Sequence, residues 1–476
     1  MAHQPSGSDP PVAARDYWPL HRQLLHLPPH DFLDYRDVLS GGIHAWASTG
    51  GGKTSGPMAT ILRALLAQLW GLLILCAKDE ADSYVKLARE MGRERHVVRV
   101  TPSGPWRLNL LDYELKRPGG GGQIENIVNF LTTTLTEIVE GRSVASTADP
   151  FWGQNAKVWI RNSVPLLLTA RNTINLDDLS RFLRSVPESR EQVGSNEWQQ
   201  QSFCAQVIAE ANRNATEAMK HEVERGTAYI LSELASMSDR TRSSVMATLS
   251  ASIDALQHGV LYQLFSTDTT FVPEILNDAA IIIVDIPQVQ YGEVSRIAST
   301  LIKLVTQRAL LRRNIVQHPR PVAIVCDESQ NFVHQLDWEF LSMSRSVRAA
   351  SIYATQGLQN YYARLGAGAE ASVKALLGQF TTQIFGKNSD ILTNQYAADL
   401  ISRRWSTRTG STSQNSLTGH THSASASQTL EYPVQPYEFL TLRSGGAAND
   451  FCVDTYMVGK VWSHGEVYLR TTWKQQ

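Results

Sequence analysis

Apolar and polar positions along this chain follow two grammars. From residue 41 to about 113, short apolar runs alternate with stretches of helical spacing. GGIHAWA (41–47) predicts a strand entering a glycine-rich turn, and PMATILRALLAQL (57–69) a helix with an apolar stripe. LLILCA (72–77) predicts a second strand, DSYVKLAREMG (82–92) a second helix stopped by Gly92, and HVVRVTP (96–102) a third strand. Strands alternating with helices imply a parallel sheet covered by helices.

After PGGGG (118–122) the grammar changes. QIENIVNFLTTTLTEIVEG, GQNAKVWIRNSVPLLLTA and DDLSRFLRSV all repeat near 3.6 residues, so residues 114–232 are expected to form an inserted all-helical domain. Strand-like runs return at AAIIIVDIP (279–287), PVAIVCDES (321–329), RAASIYATQ (348–356) and GQFTTQIFGK (378–387), with helical spacing over 293–313. The α/β domain is therefore split into 31–113 and 233–476, behind a polar N-terminal arm (1–30). The Ser/Thr-rich tract 406–429 reads as either a flexible excursion or a pair of polar hairpin arms. Residues 454–473 read as a closing hairpin.

Composition narrows the function classes. At 476 residues the chain is too long for one compact core. A formal net charge of −1 excludes a cationic nucleic-acid coat, so any DNA contact must come from local patches or an assembled surface. No helix-turn-helix or finger pattern is visible, which favours sequence-independent phosphate contacts over base reading. Cys76, Cys204, Cys326 and Cys452 lie far apart without a CxxC pair, arguing against a zinc site and for a reducing cytosol. No apolar run approaches the roughly 18–20 residues needed to span a bilayer.

The candidate chemistry sits in HAWASTGGGKTSG (44–56), between a predicted strand and a predicted helix. That is the setting of a phosphate loop. Gly50, Gly51 and Gly52 let backbone N–H groups turn toward phosphate oxygens, flanked by Thr49 and Ser55. Lys53 can reach the β- and γ-phosphates and Thr54 can ligate Mg²⁺. The strict GxxxxGK[ST] pattern wants glycine at 47, where this chain has Ala47, the smallest alternative. Two strand ends offer the acid such a loop needs, Asp285 and Asp327. Asp327 is followed by Glu328, so Asp327 is assigned to Mg²⁺ and Glu328 to general base; Asp285 is expected to support the sheet. Gln356 ends the next strand and can sense a γ-phosphate or position water. Arg345 or Arg348 could reach a neighbour's γ-phosphate as an arginine finger if subunits form a ring.

The ordered set ASTGGGKTSG, LLILCAKDE, WRLNLLD, IIIVDIP, VCDESQNF and ATQGLQNYY, over about residues 40–460, resembles conjugative coupling proteins of the TraG/TraD type. These are ring-forming ATPases of type IV secretion in the wider FtsK/HerA group. The resemblance implies a RecA-like P-loop motor domain with a mainly parallel sheet plus an all-alpha domain. It implies ATP and Mg²⁺ as ligands, a homo-hexameric ring, and partners that include DNA, a relaxase or effector, and the secretion machinery. Lys53, Thr54, Asp327, Glu328 and Gln356 fall on the family motifs, and Arg345 falls where the inter-subunit arginine does. Lys78 and Glu80 match the charged end of the family's second strand without an assigned step. Many such proteins carry transmembrane helices before the motor domain and this chain shows none, so the expected location is the cytoplasm, with any inner-membrane contact made through a partner. Three functions compete: a DNA-translocating motor, a protein-substrate receptor with a slow regulatory ATPase, and a nucleotide-dependent scaffold. Intact Lys53 and Glu328 argue against the last.

Overall fold

The computed structural model describes residues 18–475 apart from 118–119, 135–137, 139–149, 335, 367 and 417–418. Its strands, in chain order, are β1 (Gln23–Leu27), β2 (Asp31–Asp34), β3 (Ile43–Trp46), β4 (Gly71–Cys76), β5 (Val97–Val100), β6 (Ile281–Asp285), β7 (Val322–Cys326), β8 (Ala349–Thr355), β9 (Thr382–Phe385), β10 (Arg404–Ser416), β11 (Gly419–Glu431), β12 (Cys452–Val458) and β13 (Tyr468–Lys474). Nine of them form one sheet in the order β13-β12-β9-β3-β8-β7-β4-β6-β5. The seven from β9 to β5 run parallel, and β12 and β13 close the sheet antiparallel, as the tail hairpin predicts. The fold is α/β, with the mainly parallel sheet and abundant helices expected.

Residue pattern explains the layering. β4, β6, β7, β8 and β9 are buried at every position, as strands covered on both faces must be. Alternate residues feed opposite cores. Leu72, Ile74 and Cys76 join Ile61, Leu65 and Ala88 of the helices Ala59–Ala67 and Ala81–Glu90 on one face. Leu73 and Leu75 join Leu301 and Val305 of the helix Glu293–Arg312 on the other. That second core continues into the helical region, where Trp159 and Leu166 of the long helix Pro150–Arg171 pack with Val207 and Leu249.

Two boundaries differ from expectation. Helices do not stop at 232: they continue through Asp239–Ala255 and Gly259–Phe265 before β6. The segment DRTRSSVMATLSASIDA is rich in Ser and Ala, so its apolar stripe is faint; among the residues whose burial is described, Val245, Leu249 and Ile253 mark the buried side. The expected N-terminal arm is also too long. Residues 1–17 lie outside the described residues, but β1 and β2 form a hairpin, and Trp18, Leu24 and Leu27 are buried against the sheet core. The tract 406–429 lies within an antiparallel hairpin pairing Arg404 with Glu431 through Ser416 with Gly419, one of its two expected forms.

Register sets the site. Trp46 lies opposite Thr355 and Phe385, and Cys326 opposite Tyr353 and Leu75. The loops leaving β3, β4, β7, β8 and β9 therefore emerge at one carboxyl edge, where open α/β sheets bind ligands.

Candidate functional site

The glycine-rich run leaves β3 and turns into a helix whose first turn, Thr54–Met58, is widened, with Pro57 inside it. Proline is tolerated there because first-turn N–H groups lack helical partners. Two glycines are required by space and backbone. A Cβ on Gly51 would lie 2.8 Å from the Ala47 Cβ and 3.0 Å from the Lys387 carbonyl oxygen. Gly52 has φ +81°, and its Cβ would meet Val453 at 2.5 Å. Ala47 keeps negative φ and is fully packed, so alanine is accommodated where the strict pattern wants glycine.

Around this turn the structure brings together most of the expected residues. Thr54 Oγ1 donates to Asp327 Oδ2 at 2.6 Å. Lys53 Nζ lies 3.3 Å from Asp327 and 3.2 Å from Glu328. Gln356 Nε2 donates to Glu328 Oε1 at 3.0 Å, and its own carbonyl oxygen accepts from Thr49 Oγ1 at 2.9 Å. Glu328 adopts left-handed backbone, φ +52°, just past β7. Its amide donates to Asp327 Oδ1 at 2.9 Å, so the two acids are fixed as a unit.

Charge, not exposure, sets ionisation here. Burial favours the neutral acid at Glu328, but the Lys53 charge and hydrogen bonds from Gln330, Lys78 and Gln356 outweigh it, pulling its pKa down to about 2. Burial disfavours the Lys53 ammonium, yet Asp327 and Glu328 together raise its pKa. At Glu80, burial and the neighbouring Asp327 raise the carboxyl.

A cleft of 470 Å³ opens beside the turn, lined by residues 48–55, Lys78, Glu80, Ser83 and the facing sides of the helices Ala59–Ala67 and Ala81–Glu90. Backbone free of Cβ atoms at one end and apolar Leu62 and Leu87 further along suit a phosphate chain with an attached apolar group. Thr54 and Asp327 offer hard oxygens, and Mg²⁺ characteristically takes one or two protein oxygens and completes its shell with phosphate and water.

The Ser55 hydroxyl, on the lining of the cleft, accepts from Gln475 Nε2 at 2.7 Å, just past β13. Two other candidates lie away from the cleft. Asp285 ends β6, beyond β4, where its carboxylate pairs with Arg99 at 2.7 Å. Arg345 is exposed in the turn Ser344–Val347 that precedes β8, at the edge of the sheet opposite the cleft. Its own subunit does not place it in the site. Three further contributors appear: Lys78, matched in the sequence without an assigned step, and Gln330 and Ser48, which motif reasoning missed. Lys78 Nζ binds Glu328 Oε1 at 2.6 Å. Gln330 Nε2 holds Glu328 Oε2 at 3.0 Å, while its carbonyl accepts from Thr355 at 2.6 Å. Ser48 Oγ meets Asn388 and Ser389, both at 3.1 Å, tying the loop after β9 to the turn.

Residues 321–442, which include Asp327, Glu328, Arg345 and Gln356, match the family described as the TraM recognition site of TraD and TraG. Over that segment the chain is similar to TraD and TraG. Its fold is similar to that of the bacterial conjugative coupling protein TrwBdeltaN70 in an unbound monoclinic form, with TM-score 0.60, 12% identity, and 95% of this chain and 89% of that chain covered. It is similar also to the plasmid coupling protein TrwB in complex with the ATP analogue ADPNP, with TM-score 0.59, 12% identity and coverage of 93% and 87%. The same protein in complex with ADP and Mg²⁺ gives TM-score 0.57, 12% identity and coverage of 93% and 86%. No curated protein matches the chain. The architecture is thus a RecA-like α/β fold with a mainly parallel sheet and an all-helical region. Among the described residues, no helix is long and apolar enough to cross a membrane.

Proposed function

We propose that this TraG/TraD-like chain is an ATP-hydrolysing coupling protein that recruits DNA or a DNA–protein complex and moves it toward a type IV secretion channel. The observation that carries the reading is the convergence of Lys53, Thr54, Asp327, Glu328 and Gln356 within hydrogen-bond reach of one another at the carboxyl edge. Residues 50–54 would cradle the triphosphate, and Lys53 would neutralise its terminal oxygens. Thr54 and Asp327 would hold Mg²⁺, which supplies charge neutralisation at the phosphates. Glu328 would accept the proton of the attacking water, with Gln356 orienting it. Arg345, on the far edge, can act only in a neighbouring site, which fits a ring. Homo-hexameric assembly, single-stranded DNA as the bound nucleic acid, and a relaxase or effector as cargo belong to this reading. So does a cytoplasmic location with membrane contact through a partner.

A second reading has its own support. The matched segment is described in TraD and TraG as a recognition site for another protein, and the near-neutral charge offers no general attraction for DNA. On that reading the chain is a protein-substrate receptor with a slow, regulatory ATPase. Steady-state hydrolysis without DNA, with single-stranded DNA and with duplex DNA, at several protein concentrations, separates the two. Lys53→Ala serves as the blank. The motor reading expects a DNA-stimulated rate that rises steeply with protein concentration and weakens with salt. A Lys53-dependent rate indifferent to DNA selects the receptor reading, and no Lys53-dependent turnover in any condition overturns both.

A further inference from the structure

Lys78 and Glu80 carry no step in the chemistry assigned to the cleft, yet Lys78 makes the shortest contact to the general base. Glu328 Oε1 accepts from three donors at once: Lys78 Nζ at 2.6 Å, Gln356 Nε2 at 3.0 Å and Lys53 Nζ at 3.2 Å. Oε2 accepts from Gln330 Nε2 at 3.0 Å. A carboxylate oxygen presents about two lone-pair directions, so three donors leave Oε1 no direction open for water. Oε1 is therefore closed to water until donors depart, while Oε2, with one donor, keeps a direction within a side chain that is 4% exposed.

The donors differ in freedom. The Lys53 side chain is 8% exposed and also paired with Asp327. Gln356 is held at its carbonyl by Thr49, and Gln330 by Thr355. The Lys78 side chain is 48% exposed, among the described residues it hydrogen-bonds Glu328 alone, and it lines the same cleft as Lys53. Lysine is a compact charge on a flexible stem, suited to exchanging partners where arginine's fixed fork is not.

We infer that Lys78 is a second phosphate-recognising cation, selective for the terminal phosphate, which trades its bond to Glu328 for that phosphate when a triphosphate is bound; with Lys53 drawn to the phosphates as well, only Gln356 then remains on Oε1 and one direction opens for water. The inference rests on the nucleotide reading of the cleft and adds a residue and a selectivity to it. On this inference a diphosphate, lacking the terminal phosphate, leaves the Lys78–Glu328 pair intact. The simpler alternative is that Lys78 only neutralises Glu328 and never meets a ligand.

The test is equilibrium binding of ADP and of a non-hydrolysable ATP analogue, each with Mg²⁺, to the full chain and to its Lys78→Ala and Lys78→Gln variants. For both variants, analogue affinity should fall about tenfold or more, the worth of one charge-assisted contact. ADP affinity should stay within about twofold, which also reports an intact cleft. Equal losses for both nucleotides, or no loss for either, overturn the inference while leaving the nucleotide site standing. An unsubstituted chain that binds neither nucleotide overturns the nucleotide reading itself, and this inference with it.

Discussion

Beneath the carboxyl edge, Lys303 and Asp337 form an ion pair with both side chains at 0% exposure, Nζ lying 2.9 and 2.6 Å from the two carboxylate oxygens. Asp337 also accepts from Gln307 Nε2 at 2.6 Å, Tyr353 OH at 2.8 Å and the His334 amide at 2.8 Å. Burial alone would raise its pKa, but the Lys303 charge and these donors hold it below the usual range. The pair therefore joins the helix Glu293–Arg312, strand β8 and the segment that follows Glu328. Lys303 has a much poorer set: besides Asp337 it reaches only Tyr353 OH, at 3.4 Å.

That imbalance yields an ordered prediction. Removing one partner of a buried pair costs about 3–5 kcal/mol. Asp337→Ala should lie at or above the top of that range, because it strands a buried ammonium and three further donors. Lys303→Met should lie near the bottom, because Asp337 keeps three hydrogen bonds, each worth about 1.5–3 kcal/mol to a charged acceptor. The double variant Lys303→Met/Asp337→Leu should recover part of the Asp337→Ala loss, giving a coupling of about 2 kcal/mol or more. Urea midpoints followed by tryptophan fluorescence and far-ultraviolet circular dichroism, compared at constant m, measure all three. If Asp337→Ala proved no worse than Lys303→Met, or the coupling fell near zero, the pair would not be the buried joint described.

Two further outcomes follow from the site and its strand. Glu328→Gln should keep nucleotide binding within a few-fold and lower turnover by about 10²–10⁴; turnover near that of the unsubstituted chain would remove Glu328 as general base. His44 on β3 is fully buried, stacked on Trp46 at 4.1 Å, bound through Nε2 to Tyr361 OH at 2.8 Å, and held by burial at a pKa of about 3. The unfolded chain takes up this proton near pH 6.5 and the folded chain only near 3. Stability from this group is therefore full above 6.5 and falls as pH drops, by about 2 kcal/mol at pH 5. His44→Phe should flatten the slope of unfolding free energy between pH 6.5 and 5, and equal slopes would show that another group is responsible.

Much of the sheet was legible because its strands are short apolar runs bounded by turns, and full burial on both faces leaves no alternation to misread. IIIVD and AIVCD look alike as sequence, and the acid that follows Asp327 was the only local cue separating them; strand order, which places β7 near β3 and β6 far from it, is not written locally. The phosphate turn was legible for the same reason that it is crowded: Gly51 and Gly52 stand where a Cβ would collide. What escaped is long-range. Nothing near Trp18 announces that it packs against the sheet core, and nothing near Gln475 announces Ser55. The helices past 232 were faint because Ser and Ala replace larger apolar residues, leaving Val245, Leu249 and Ile253 to carry the stripe. Gln330 had a signal, its position two residues after Glu328, but only the fold shows that it bridges Glu328 to β8.

These contacts give the cleft an internal charge balance. Lys53 and Lys78 face Asp327 and Glu328, two cations against two carboxylates, with each carboxylate further held by neutral donors. A site so paired has little field left to attract a water nucleophile, and its general base, at a pKa of about 2, is a weak one. Both defects have one remedy. A polyanion entering the cleft competes for the two lysines; each that leaves Glu328 removes one cause of its low pKa, and when both have left only Gln356 remains on Oε1. Basicity and access would then rise together, and only with the triphosphate in place. On the motor reading proposed above, an arrangement closed without its ligand would keep ATP from being spent before cargo and neighbours are assembled.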